Sequence, residues 1–168
     1  MEYIFMSADA SVLEDVYALI DQRIAWMDEV GIRQWNVTNY WDAYPKSYYV
    51  HQMNLGNLYI LKKAEDNKVV GAIVLLEEDS RWNDCSDVSA YYLHNFVTDS
   101  RVKGAGEIIL ESVHELAVRN KKTRVRLDCA IDNVRLNHYY ENKGYVFAGQ
   151  CADGPYIGNK REKRLESS

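Results

Sequence analysis

Strand and helix patterns alternate through the second half of the chain, and this alternation is the feature that most limits its fold. Residues 90–97 read as a strand, and apolar residues at helical spacing within 108–117 predict the helix that follows. A strand at 123–131, a short helix at 133–142 and a strand at 145–148 come next. Strands joined through a helix run parallel, so a sheet built from these segments contains a parallel crossover.

The first half predicts helices followed by antiparallel strands. Apolar residues recur every three or four positions from Val12 to Met27, which is typical of one face of a helix. Ser11 is the expected cap of this helix and Gly31 its expected end. Two β-rich runs joined by a short polar turn are typical of a hairpin. The remaining predicted elements are a strand at 2–6, a helix from Pro45 to Leu55, hairpin strands at 58–63 and 69–76, a polar loop at 77–87 and a last strand near 162–165.

Length, charge and cysteine content exclude several classes of protein. The chain has 168 residues, which fits one domain, and its net charge of −5 disfavours a nucleic-acid partner. No apolar run reaches the ~18 residues of a membrane span, and the N-terminal residues lack the pattern of a secretory signal. The cysteines, Cys85, Cys129 and Cys151, are too widely spaced for a metal site. We therefore expect reduced thiols, no metal, no membrane partner and a cytoplasmic location.

The segment from Arg101 to Gly106 carries the clearest functional signal. It follows a strand, opens a helix and contains Gly-Ala-Gly after two basic residues. The first N–H groups of a helix lack partners and carry partial positive charge, and glycine lets a ligand approach them closely. The segment therefore predicts a phosphate or pyrophosphate site, with a plain tight turn as the alternative. It is neither a Walker loop nor a dinucleotide fingerprint, whose third glycine would stand at Ile109.

Two motifs in this half of the chain resemble those of the GNAT superfamily of N-acetyltransferases. The glycine segment is similar to the family's pyrophosphate loop, Arg/Gln-x-x-Gly-x-Gly/Ala. Residues 133–145 are similar to the family's Asn-x-x-Ala-x-x-Leu-Tyr-Glu-x-x-Gly-Phe signature. The chain departs from residues common in the family at Thr98, Val102 and Tyr145.

This resemblance implies a fold, a co-substrate and the residues that hold it. The fold would be the GNAT acyl-CoA N-acyltransferase fold, an α+β (mixed α/β) arrangement with a central mixed, mostly antiparallel sheet flanked by helices, in one domain at 1–168. The activity would be transfer of the acetyl group of acetyl-CoA to a primary amine by direct attack in a ternary complex. The implied cofactor contacts are Phe96, Val97, Thr98, Arg101, Val102, Lys103, Gly104, Ala105, Gly106, Asn133 and Tyr140.

Tyr140 is the implied catalytic acid. Acyl transfer from a thioester leaves a thiolate that needs a proton, and a phenol with a pKa of ~10 is protonated at neutral pH. Tyr139 and Tyr140 point in different directions on a helix; periodicity does not choose between them, and the motif register selects Tyr140. Asn133 is also a good helix cap by residue type.

The sequence leaves the base that deprotonates the amine open. His94 lies on the predicted fourth strand, and histidine is a common proton acceptor, although a lone histidine is more often a packed strand residue. Glu77 and Glu78 could act through water, and an ordered-water relay without a side-chain base is the third alternative.

The sequence also leaves open which amine is the acceptor and whether the protein is catalytic. Aromatic residues from Trp26 to Tyr49 predict either a site for a cationic or aromatic amine or plain core packing. No motif identifies the acceptor beyond a small-molecule or peptide amine. A non-catalytic acyl-CoA-binding module of the same fold and a nucleotide-phosphate binder of another kind remain open. Sheet edges near the C-terminal strands are compatible with a homodimer.

Overall fold

A computed structural model describes residues 2–85 and 88–165 of the chain. Positions 86 and 87 of the predicted polar loop lie outside the described residues. The described residues group into two compact units, 2–74 with 95–112, and 75–85 with 88–94 and 113–165. They are called the first and the second unit below.

The first unit contains the N-terminal strand, the helices and the hairpin that the sequence predicts. Its long helix, α1 (Leu13–Val30), buries the apolar face formed by Val16, Leu19, Ile20 and Met27. The helix ends at Gly31, as predicted, with a left-handed φ of +77° and an N–H that donates to the Met27 carbonyl. The other elements that begin in this unit are β1 (Tyr3–Ser7), α2 (Tyr40–Ala43), α3 (Lys46–Asn54), β2 (Leu58–Lys63) and β3 (Val69–Leu76).

The start of α1 differs from the prediction. A 3-10 turn at Ala10–Val12 precedes the helix, and Asp9 caps that turn by accepting the Ser11 N–H at 2.9 Å. The cap position of α1 itself is Val12, whose side chain makes no capping hydrogen bond. The prediction that Ser11 caps the helix is therefore wrong, because the aspartate two residues earlier shifts the cap to the 3-10 turn.

The hairpin forms as predicted and meets a helix closely. β2 and β3 pair antiparallel, with Leu61 opposite Gly71, and β1 pairs antiparallel with β2. β3 is buried along nearly its whole length. A Cβ on Gly71 would lie 2.5 Å from Ile109 Cδ1, so the Ile109 side chain of helix α4 (Ala105–Arg119) packs directly on the strand backbone and would have to shift for a larger residue.

The second unit holds most of the strand–helix–strand part of the chain. Its elements are a 3-10 segment at Ser80–Cys85, the first half of β4 (Ala90–Thr98), β5 (Arg124–Ala130), α5 (Val134–Asn142), β6 (Val146–Asp153) and β7 (Tyr156–Arg164). β4 and β5 pair in parallel, as the predicted crossover requires, and β7 pairs antiparallel with β5 and β6. The strand order is β1-β2-β3-β4-β5-β7-β6. The predicted mixed, mostly antiparallel sheet flanked by helices is confirmed.

The loop after β3 contains a core residue that its polar sequence does not predict. Trp82 is 1% exposed and packs with Ala90 and Tyr92. The Arg126 guanidinium lies 4.4 Å from the centre of the Trp82 ring and donates to Glu162 at 2.9 Å. This buried arginine is both stacked and ion-paired, which offsets the cost of removing it from water.

The last two strands are longer than the sequence predicts. β6 and β7 run over Val146–Asp153 and Tyr156–Arg164, whereas the patterns indicate only 145–148 and 162–165. Their residues are largely polar or exposed, so no apolar alternation marks them.

The single domain at 1–168 stays a prediction. Among residues 2–85 and 88–165, no helix is long and apolar enough to cross a membrane.

Candidate functional site

The glycine turn lies in the first unit, between the end of β4 and the start of α4. Gly104 has a φ of +82°, a left-handed conformation that favours glycine. Its carbonyl accepts the Ile108 N–H at 3.1 Å. The N–H groups of Gly104, Ala105 and Gly106 precede that donor and so have no partner within the helix. Successive N–H groups at the positive end of a helix are what an anion needs.

Asp99 closes this turn, and it is not among the predicted site residues. Its carboxylate accepts the Arg101 backbone N–H at 3.0 Å and binds the Arg101 guanidinium at 2.9 and 3.0 Å. Hydrogen bonds from Arg101 lower the pKa of the Asp99 carboxyl, although its burial works the other way. An aspartate directly before a turn is a signal that could have found it. The charge of Arg101 is thus partnered by Asp99, whereas the Lys103 side chain is exposed.

The end of β4 carries three of the predicted cofactor contacts. Val97 is buried, and Phe96 and Thr98 are half-buried. The Arg23 guanidinium donates to the Thr98 carbonyl at 2.7 Å and to its hydroxyl at 3.1 Å. The Thr98 peptide is therefore held from its carbonyl side by Arg23.

Asn95 connects β4 to the aromatic segment within the first unit. Its φ is +53°, and its side chain accepts from the Tyr48 hydroxyl at 2.8 Å and donates to the Tyr40 hydroxyl at 2.9 Å. Tyr40 also hydrogen bonds to Tyr49, and burial raises the pKa of Tyr40 to about 12. Tyr40 and Tyr49 are core residues, whereas other rings of the segment are half-buried: Trp35, Trp41, Tyr44 and Tyr48. Part of the aromatic segment is therefore core, and the acceptor role of the rest stays a prediction.

Helix α5 of the second unit starts at the predicted cap. Asn133 Oδ1 accepts the Leu136 N–H at 3.1 Å, which confirms the cap. One turn later, the buried Asn137 side chain accepts from Asn159 at 2.9 Å and from Arg161 at 3.1 Å. These hydrogen bonds tie α5 to β7 and fix the helix that carries Tyr140.

Tyr140 lies on the buried side of α5 and is 8% exposed. The rings of Tyr139 and Tyr145 lie 5.4 and 5.7 Å from its own, and burial raises the pKa of the Tyr140 phenol above its ordinary value of 10.0. The phenol is therefore protonated throughout the physiological range. Its hydroxyl is not among the fully buried, unpaired polar atoms of the described residues.

His94 has an acidic partner that the sequence did not indicate. Its Nε2 lies 2.7 Å from Asp79 Oδ2, and the two side chains are 12% and 8% exposed. Burial acts to raise the pKa of the Asp79 carboxyl, but the hydrogen bond from His94 and the charges of His94 and Arg81 lower it. Of the other candidate bases, Glu77 is exposed and paired with Lys122, and Glu78 is exposed.

Comparisons with known proteins point to one family. The sequence model of the acetyltransferase (GNAT) family matches residues 18–145. The chain is 26% identical over 158 residues to YesJ of Bacillus subtilis, an uncharacterised N-acetyltransferase, with 88% of this chain and 83% of that protein covered. Its fold is similar to that of a GNAT-family acetyltransferase from Listeria monocytogenes, with a TM-score of 0.81 and 22% identity over 98% of this chain and 96% of that one.

A further structural relative was solved with a ligand. The PaiA N-acetyltransferase of Thermoplasma acidophilum, in complex with coenzyme A, has a TM-score of 0.72 and 16% identity over 98% of this chain and 99% of its own. At such identities these likenesses show the shared fold. The fold and the sequence match together define an acyl-transferring class of protein. Because the family model spans well over half of the sequence, the chain belongs to the acetyltransferase (GNAT) family.

Proposed function

We propose that residues 1–168 form a single domain that transfers the acetyl group of acetyl-CoA to a primary amine of a small molecule or peptide, by direct attack in a ternary complex. The observation that carries the proposal is the left-handed Gly104 at the start of α4, because it exposes successive N–H groups to an anion. Family membership supports the reaction class, and the coenzyme A bound by PaiA supports the donor.

The glycine turn would hold the pyrophosphate of this co-substrate. The N–H groups of Gly104, Ala105 and Gly106 would donate to its oxygens, and Lys103 would add positive charge. The N–H of Val102 donates to the Asp99 carbonyl at 3.0 Å, so the predicted contact of Val102 with the co-substrate would use its other atoms. These residues fit a diphosphate: the backbone is bent as the site requires, and no described atom lies within 4 Å of a Cβ placed on Gly104.

Other predicted contacts would serve the pantetheine arm. Backbone groups of Phe96, Val97 and Thr98 would pair with its amides as an added strand would. Arg23 would hold the Thr98 peptide still, because it already binds that carbonyl. Asn133 would hydrogen bond to the pantetheine arm in addition to capping α5.

Two side chains of the second unit would handle the protons. Acetyl-CoA supplies an acetyl thioester that a neutral amine attacks. His94 would take a proton from the acceptor, because alkyl amines with a pKa of ~10.4 are mostly protonated at pH 7. Tyr140 would donate to the departing thiolate. A thiol has a pKa of ~8.5, below that of this phenol, so the main contribution of Tyr140 is a hydrogen bond to the developing charge.

Thiol release from acetyl-CoA across a panel of amines tests this function. Wild-type protein should turn over at least one amine, and Tyr140→Phe should lower kcat by about 10²-fold with an unchanged KM for acetyl-CoA. Tyr139→Phe is the matched control, since it removes the neighbouring phenol, and it should retain wild-type turnover. Loss of CoA binding in Tyr140→Phe would contradict the role given to Tyr140. Tight acetyl-CoA binding without turnover of any amine would support the non-catalytic module instead.

A further inference from the structure

We infer that Asp79 is a positioning residue for His94: its carboxylate holds the imidazole with Nε2 protonated, so that Nδ1 takes the proton from the acceptor amine. The inference rests on the proposed function, which assigns His94 as the base. It adds the partner of that base and the nitrogen that reacts.

The hydrogen bond between the two side chains determines which nitrogen of a neutral His94 carries the proton. His94 Nε2 and Asp79 Oδ2 are 2.7 Å apart, which is a short hydrogen bond. An ionised carboxylate only accepts, so the ring nitrogen that faces it carries the proton. A neutral imidazole has one N–H, which leaves the lone pair on Nδ1. The Nδ1 of His114 is buried and unpaired, whereas the Nδ1 of His94 is not among the buried unpaired atoms of the described residues.

The carboxylate of Asp79 is held from its other side as well. Asp79 Oδ1 accepts the Arg81 backbone N–H at 3.0 Å, so each oxygen has its own donor. The Arg81 guanidinium is bound to Asp128 at 3.2 Å and to Asp153 at 3.0 Å, and the Tyr156 hydroxyl donates to Asp128 at 2.6 Å. A carboxylate fixed at both oxygens and largely shielded from water restricts the rotation of the imidazole it binds.

The charges around the pair suit a proton acceptor. Asp79 hydrogen bonds to His94 directly, the positive charge of Arg81 acts on Asp79, and Asp128 and Asp153 bind the Arg81 guanidinium. When an ammonium loses one proton, its N–H bond breaks, an Nδ1–H bond forms, and the electron pair stays on the amine nitrogen for attack. Nε2 keeps its own proton, and the imidazolium is stabilised by the adjacent carboxylate.

The alternative is that the Asp79–His94 pair only holds the loop after β3 to strand β4, as a structural clasp. A loss of stability in a variant would not separate the two roles, so the test measures the His94 tautomer and the kinetics as well. Long-range 15N–1H NMR spectra of histidine-labelled protein report the tautomer of each of the four histidines, and His94→Gln identifies the His94 signals. Asp79→Asn is the test variant because it keeps the size and removes the charge. Asp153→Asn is the control, since Asp153 binds Arg81, is 70% exposed and does not touch His94.

We expect the Nε2–H tautomer in wild type and in Asp153→Asn, and loss of that preference in Asp79→Asn. With an amine that turns over, Asp79→Asn should lower kcat by at least about tenfold, within the ~10²- to 10⁴-fold that a general base contributes, at an unchanged KM for acetyl-CoA. The acidic limb of its kcat/KM profile should move to lower pH, because the imidazolium loses its carboxylate.

Three results would overturn the inference. An Nδ1–H tautomer in wild type contradicts it directly. Asp79→Asn with a lower Tm but unchanged kcat and pH profile assigns the pair to the structural clasp, and the proposed function then stands. Wild-type protein that releases no thiol with any amine refutes the proposed function itself, and the inference with it.

Discussion

Replacing Gly104 by alanine tests the phosphate cradle with the least disturbance of packing. Apart from Gly104 itself and its neighbours in the chain, no described atom lies within 4 Å of the position that the new Cβ would take, so the methyl group creates no packing clash. The cost comes from the backbone alone, since a φ of +82° is unfavourable for an L-residue by about 1–2 kcal/mol. In a chain of this size, that cost lowers Tm by about 2–8 °C. Valine would cost more because it is β-branched.

The same strain should weaken CoA binding more than it weakens the fold. A shift of this peptide turns the N–H groups of Gly104 and Ala105 away from the position of a bound diphosphate. Each hydrogen bond to a charged oxygen contributes about 1.5–3 kcal/mol, so loss of one should weaken affinity at least about tenfold. Isothermal titration calorimetry with CoA and thermal unfolding followed by circular dichroism measure the two effects separately.

Gly56→Ala is the matched control for this experiment. Gly56 lies in the turn between α3 and β2 with a φ of +77°, and its Cβ would also meet no described atom. It should therefore show a similar loss of Tm with no change in CoA affinity. If Gly104→Ala is folded, loses as much Tm as Gly56→Ala and still binds CoA like wild type, the turn does not hold the diphosphate and the cradle assignment is wrong.

Two further predictions concern residues that hold the site. The pKa of Asp99 is lowered below 3.8 by its hydrogen bonds from Arg101, so its contribution to the free energy of unfolding is complete above pH 3.8 and is lost as the pH falls through the lower folded value. Urea denaturation should therefore show a higher free energy of unfolding for wild type than for Asp99→Asn, and this difference should disappear only in acid. A difference that does not depend on pH contradicts this prediction. Asn137→Ala leaves a buried N–H of Arg161 without its acceptor and should lower the free energy of unfolding by about 1–3 kcal/mol. Asn142→Ala, at an exposed position, should change the free energy of unfolding by less than about 0.5 kcal/mol in the same denaturation assay. Equal losses in Asn137→Ala and Asn142→Ala would refute the role given to Asn137.

Features that depend on a few neighbouring residues were predictable from the sequence. The end of α1 at Gly31, the cap of α5 at Asn133 and the turn at Gly104 each need a particular residue type at one position. Such requirements appear directly in the sequence. The parallel pairing of β4 with β5 follows equally well, because a helix between two parallel strands makes a crossover.

Partners that meet only in the folded chain were not predictable in this way. Asp79 lies fifteen positions before His94 in a polar loop, where an acidic residue is unremarkable until the fold brings the two together. Trp82 reads as part of the same loop but becomes a core residue. The left-handed Asn95 stands inside an apparently regular strand, and its side chain contacts tyrosines that are distant in the sequence.

Strand β4 shows why these long-range partners matter for function. In the second unit, His94 is held by Asp79; in the first unit, Asn95 is held by tyrosine hydroxyls and Thr98 by Arg23. Successive side chains of a regular strand alternate between faces, and a left-handed residue at Asn95 interrupts that alternation, so the directions of His94 and Phe96 depend on this kink. A strand in which His94, Asn95 and Thr98 are each held by side chains from elsewhere needs little ordering when substrates bind.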